Sequence, residues 1–235
     1  MVVSVAVGLT TDCSKRTRVI GMGFSVATVL DEDREARPSF VTQMTGIGAR
    51  TLSKAVEAGF IGKLTHRVTL AVAALPMLTS ARTPDSMPIP VLRMGVKEPA
   101  IGTDGDHNPP RKWVGLGADM GDSEFADASL RWWTRPGRQR VTDAGYLLVA
   151  IGGLTVGLLR ISGTKGPRVA DDRIEYIGDL VARADDVVSR AIRIVDAAAS
   201  QDERDFAQEV LATRSTTRGG GVINLLDADL DAGKA

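Results

Sequence analysis

The chain opens with two apolar runs rich in β-branched residues, VVSVAVGL and RVIGMGFSVATVL, closed by the clusters TTDCSKR and DEDREAR. Runs of this length bounded by turn or charged residues read as strands. SFVTQM reads as a third, shorter strand. The period then changes in GARTLSKAVEAGFIGKL, where Leu52, Val56, Phe60 and Ile61 recur at helical spacing and predict an amphipathic helix. HRVTLAVAALPML follows as a buried strand.

Six of the ten prolines lie between Pro84 and Pro110. Proline removes a backbone donor and breaks helices, so residues 81–112 are expected to form an extended arm, with PIPVLRM as an edge strand. The apolar runs YLLVAI and LTVGLL meet at Gly152-Gly153, the pattern of a tight hairpin buried on both faces.

Farther on, Leu180, Ala184, Val187, Ala191, Val195 and Ala198 recur every three or four residues and predict a helix. Ser200 and Glu203 form a capping-box pattern that opens a second one, DERDFAQEVLAT. RSTTRGGG has linker composition, and VINLLDADLDAGKA is a short apolar segment suited to docking on a neighbour.

The expected architecture is α+β. Residues 1–170 form a strand-rich body, a mixed or antiparallel sheet with one packed helix, interrupted by the arm at 81–112. A helical extension spans 171–213, and a flexible linker with a docking tail spans 214–235.

Composition narrows the function classes. Hydrophobic residues make up 43% and charged residues 25%, the balance of an ordinary globular chain. Lys+Arg and Asp+Glu both total 29, so the basic surplus of a free-standing nucleic-acid binder is missing and any such contact has to be local. Cys13 is the single cysteine, which excludes an internal disulfide and a thiolate-rich zinc site. No basic residue precedes the first apolar run, so it is read as a strand rather than a signal peptide, and a soluble intracellular protein is expected. The longest uncharged run, Ala144–Leu159, holds four glycines and falls short of the ~20 residues a membrane helix needs.

Nucleotide motifs fail on spacing. GMGFSV, GIGART and GLGADMG carry Val26, Thr51 and Met120 where the third glycine of G-x-G-x-x-G belongs. Gly62-Lys63 would put the first P-loop glycine at Glu57, and Leu64 replaces the magnesium-binding hydroxyl. TDGDHNPP offers Asp104, Asp106 and Asn108 at calcium-loop spacing, but Pro109 and Gly115 stand where the turn glycine and bidentate glutamate belong. A weak metal site on Asp104, Asp106 and His107 is what remains of that pattern. With His66 and His107 the only imidazoles, histidine-based catalysis has little room.

LTTDCS at the end of the first strand, followed by a glycine-containing strand and a helix bearing an acid, resembles the opening of the ribonuclease-H-like fold over roughly the first 80 residues. The resemblance implies a magnesium-dependent nuclease with Asp12 and Glu57 as metal ligands. The chain departs from the pattern in that HRVTLAVAALPML carries no aspartate at its end, leaving a two-metal centre short of an acid.

The densest chemical signal is RWWTRPGRQR. Arg131, Trp132, Trp133, Arg135, Arg138 and Arg140 combine base-stacking and phosphate-holding side chains, and they are equally the residue types that anchor protein interfaces. As a structural element the segment is a turn. Asp119, Asp122, Glu124 and Asp127 lie just before it and could pair with its arginines in the same chain or in a copy. Catalytic residue types are scarce, a proline-rich arm interrupts the body, and the tail suits a neighbour. The expected function is therefore a non-enzymatic, self-associating subunit of coat, shell or scaffold type. It would need no cofactor and would work in a homo-oligomer or larger protein complex. The alternatives are a ribonuclease-H-like magnesium-dependent nuclease or an inactive relative of one, and a nucleic-acid-binding module using the Arg/Trp cluster.

Overall fold

The computed structural model describes residues 32–101, 111–131, 133, 138–165, 173–215 and 222–226. The two strands expected before residue 32, together with Asp12, lie outside these.

Among the described residues three helices come first: α1 (Pro38–Thr45), α2 (Ala49–Glu57) and α3 (His66–Ala74). Of these only α2 matches the expectation, burying Leu52 and Ala55, with Phe60 and Ile61 buried just beyond its end. SFVTQM is helical rather than extended. Pro38 occupies the first turn, where its missing N–H costs nothing, and Gly46 ends the helix at φ 71°. HRVTLAVAALPML is also a helix over most of its length. The Thr65 hydroxyl caps it by accepting from the Val68 N–H at 3.3 Å. The cap and the packing of α1 against α3 outweigh the modest β preference of its valines and threonine.

Ten strands follow or interleave: β1 (Met77–Leu78), β2 (Val91–Met94), β3 (Glu98–Pro99), β4 (Trp113–Val114), β5 (Tyr146–Ile151), β6 (Leu154–Lys165), β7 (Glu175–Asp186), β8 (Ala191–Ile194), β9 (Arg214–Ser215) and β10 (Ile223–Asn224). The other helices are α4 (Asp122–Leu130), α5 (Arg138–Ala144) and α6 (Gln201–Val210). The main sheet is mixed and runs β1-β9-β6-β5-β2-β10, with β7 on β6 and β8 on β7, while β3 and β4 pair separately. Helices are spread along the chain, so the fold is α+β without a segregated helical extension.

The glycine hairpin forms as its pattern predicts. Gly152 and Gly153 adopt φ of 60° and 82°, the left-handed values a two-residue primed turn requires. Both faces of β5 are buried: Leu147, Val149 and Ile151 face one core cluster, Tyr146, Leu148 and Ala150 the other. Helices α2 and α4 cover the first face through Leu52 and Phe125, and α6 covers the second through Phe206 and Val210. PIPVLRM supplies β2, which lies inside the sheet between parallel β5 and antiparallel β10 rather than at an edge.

The helix predicted from Leu180 to Ala198 is absent; its first part is the twelve-residue strand β7. Two causes misled the periodicity. Leu180 and Ala184 sit in one cluster while Val181 and Ala182 sit in the other, so no polar face marks alternation. Bulges opposite Leu158/Leu159 and at Ala184/Asp186 also shift the register. Helix α6 begins where its capping box placed it, with the Ser200 hydroxyl accepting from the Glu203 N–H at 3.2 Å and Glu203 accepting from the Ser200 N–H at 2.8 Å. The tail segment Ile223–Asn224 adds a strand to this chain's own β2.

Candidate functional site

Strand β7 is covered unevenly along its outer edge. Trp133 and Ile174 exchange two backbone hydrogen bonds of 2.9 Å at the strand's start. At the other end β8 pairs with residues from Ala182 onward, and the Val195 N–H reaches the Val181 carbonyl at 2.9 Å. Between them, Ile177 to Leu180 pairs with β6 alone among the described residues. Ile177 is 43% exposed there. A groove of about 400 Å³ opens over this stretch, with Ser123 and Ala126 of α4 on one side and Val195 and Asp196 on the other.

The charges around the groove are matched internally. Asp122 accepts two 2.8 Å bonds from Arg193 and also faces Arg183 at 3.3 Å. The Arg193 hydrogen bonds hold its carboxyl below the usual carboxylate range. Arg160 donates to Asp196 at 2.6 Å and to Glu203 at 2.9 Å, and lies 3.6 Å from Asp179. Burial alone would raise the Glu203 carboxyl; the Ser200 N–H, Arg160 and the Tyr146 hydroxyl outweigh it and hold it low. The Ala198 N–H and then Arg160 do the same for Asp196. Carboxylates locked in the ionised form are poor proton donors at neutral pH. The described lining of the groove mixes apolar residues, Ala126, Leu180 and Val195, with polar ones, Ser123, Asp179 and Asp196.

Arg183 organises the layer beneath. It is 1% exposed, donates to the carbonyls of Met120 at 2.8 Å and Ala118 at 2.9 Å, and stacks its guanidinium 5.0 Å from the Phe125 ring. The turn leading into α4 is thereby tied to β7. A lone arginine within the apolar-rich stretch LVARADD was the available sequence signal for this anchor, and the helical reading hid it.

The described members of the Arg/Trp cluster separate, Arg131 and Trp133 following α4 while Arg138 and Arg140 lie in α5. Arg131 pairs with Glu175 at 3.0 Å and Asp127 at 3.2 Å, and its side chain is 11% exposed. The Trp133 indole N–H donates to the Ser129 carbonyl at 2.7 Å and its ring packs against the core. Arg138 opens α5 and donates to the Thr164 hydroxyl at 2.8 Å. Arg138 and Arg140 line a cavity of about 510 Å³ with Met87, Pro88 and Leu225. Trp132 and Arg135 lie outside the described residues.

The acids preceding the cluster find partners within the chain. Asp119 pairs with Lys97, Asp122 with Arg183 and Arg193, Glu124 with Lys112 at 2.8 Å, and Asp127 with Arg131. Of the two proposed nuclease ligands, Glu57 is exposed at the end of α2 and Asp12 lies outside the described residues. Asp104, Asp106 and His107 lie outside them as well. Among the described residues no group of three or more His, Cys, Asp or Glu side chains is placed to hold a metal ion, and no helix is long and apolar enough to cross a membrane.

Compared with protein-family models, curated proteins and solved structures, the chain matches none.

Proposed function

We propose that this chain is a non-enzymatic, self-associating subunit of coat, shell or scaffold type, and that copies join through the outer edge of β7. The observation that carries this reading is the stretch Ile177 to Leu180, bonded to β6 alone among the described residues and bearing an exposed isoleucine. An exposed strand edge with an apolar side chain is a template for another strand, and soluble proteins usually blunt such edges with lysine, proline or a covering segment. The seat beyond β2 is taken by the chain's own β10, and β8 covers β7 only from Ala182 onward. Antiparallel pairing of β7 with β7 of a second copy gives a two-fold contact. Zero net charge leaves little long-range repulsion to oppose it.

The test is the mass of the full chain in solution by light scattering over a range of concentrations. A discrete dimer or a multiple of it is expected, shifting to lower mass in Ile177→Lys with an unchanged melting curve. A strict monomer at high concentration refutes self-association. An oligomer unaffected by Ile177→Lys moves the interface elsewhere.

A further inference from the structure

Strand β10 carries the chain along β2 only as far as Asn224. Its antiparallel register sets Ile223 opposite Leu92 and Asn224 opposite Val91, so the chain runs on toward Pro90 and Pro88. Proline has no N–H to give, and the Ile89 N–H is already donated to the Ala81 carbonyl at 3.2 Å. The ladder stops where the β2 side runs out of donors, and anything that holds the chain farther on has to be side chain. Leu226 is fully buried in the second core cluster, which fixes the point from which residue 227 departs.

That point adjoins the cavity of about 510 Å³ lined by Met87, Pro88, Leu225, Arg138 and Arg140. Met87 is 40% exposed and Leu225 half-buried, so one wall is apolar and uncovered. The cations facing it differ from those of the sheet. Arg160 on β6, Arg183 on β7 and Arg193 on β8 each meet a carboxylate. Arg138 donates to the neutral Thr164 hydroxyl at 2.8 Å, and Arg140 is exposed without a hydrogen bond or ion pair among the described residues. Asp143, the one acid among the described lining residues, accepts from the Gln139 amide at 2.6 Å.

The residues that follow, DADLDAGKA at 227–235, alternate acid with apolar: Asp227, Asp229 and Asp231 against Ala228, Leu230 and Ala232. We propose that this segment docks on the cavity of its own chain, with Asp229 and Asp231 pairing with Arg138 and Arg140 while Leu230 covers Met87 and Pro88. Nine residues reach about 30 Å when extended, and Leu225 already lines the cavity, so chain length does not limit the contact. Charge and apolar surface are both complementary, and the docking is independent of the β7 edge. It turns a segment whose composition suits a neighbour back onto the chain that carries it.

The experiment is paramagnetic relaxation enhancement on the full chain, with Cys13→Ser and a nitroxide attached at Ala235→Cys. At low ionic strength the amides of Met87 and of Val141 to Ala144 are expected to broaden. Asp229→Asn with Asp231→Asn leaves the folded body untouched and should weaken the docked equilibrium about tenfold, the combined effect of two exposed ion pairs. Arg138→Gln with Arg140→Gln should do the same from the other side. Exchanging the charges, Arg138→Glu and Arg140→Glu with Asp229→Lys and Asp231→Lys, should restore the broadening. The proposal is overturned if the α5 amides of the otherwise unaltered chain do not broaden, or if either neutralising pair leaves the broadening unchanged. Equal broadening in a mixture, where the nitroxide sits on one chain and the observed amides on another, puts the segment on a neighbour and overturns it as well.

Discussion

Replacing Arg183 with methionine tests how the sheet and α4 are held together. The side chain is 1% exposed, and two of its bonds go to the Ala118 and Met120 carbonyls at 2.9 and 2.8 Å. A hydrogen bond from a charged group contributes about 1.5–3 kcal/mol, so losing two costs about 3–6 kcal/mol. Methionine restores apolar contact with Phe125 and removes the desolvation cost of a buried cation, which offsets part of this. Asp122 and Asp185 keep Arg193 as partner at 2.8 Å, so no carboxylate is stranded. The net expectation is about 3 kcal/mol, a large share of the 5–15 kcal/mol typical of a folded domain. Urea unfolding followed by circular dichroism should show a lower midpoint at constant slope. Arg193→Met, at a side chain 46% exposed, should cost less than about 1 kcal/mol. If the two variants cost the same, or Arg183→Met costs under about 1 kcal/mol, the anchoring role assigned to Arg183 is wrong.

Gly152→Val should lower thermal stability by at least about 2 kcal/mol, since it forces a β-branched residue to φ 60° and drives its Cβ toward Thr51; a melting point within a degree of wild type would contradict the close approach of α2 to the hairpin. Stability should also depend on pH at both ends. Burial raises Tyr146 and Tyr176 to about 12 from an ordinary 10, so their contribution is full below pH 10 and is lost as pH rises through 10 to 12. The lowered carboxyls of Asp119, Asp122, Asp196 and Glu203 act in the opposite sense, contributing above their unfolded pKa near 4 and losing the contribution as pH falls below it. Urea midpoints measured from pH 3 to 12 should form a plateau with two falling flanks; an unchanged midpoint between pH 10 and 12 would contradict the burial of the tyrosines.

What the sequence determined by itself are features written in contiguous residues. Gly152-Gly153 between two apolar runs dictates a primed turn because left-handed φ at two successive positions is a glycine property. Ser200 with Glu203 dictates a helix start because both halves of the cap lie within one turn. Leu52 and Ala55 lie on the buried face of α2, the helix that the spacing of Leu52 and Val56 announced. Tertiary structure decided the rest, and the reason is burial on both sides. β7 has core beneath Leu180 and beneath Val181, so its polar alternation is erased and its bulged register mimics a helical period. The valines and threonine of α3 became helical because α1 and the Thr65 cap supplied packing and a bond that propensity alone does not. The Arg131 to Arg140 segment carried its residue types in plain view. Only the fold could say that Arg131 turns inward to Glu175, 44 positions away in sequence, while Arg138 and Arg140 face a cavity shared with Leu225. Partners that distant leave no local signature, because ion pairing depends on which strands are neighbours and not on spacing along the chain.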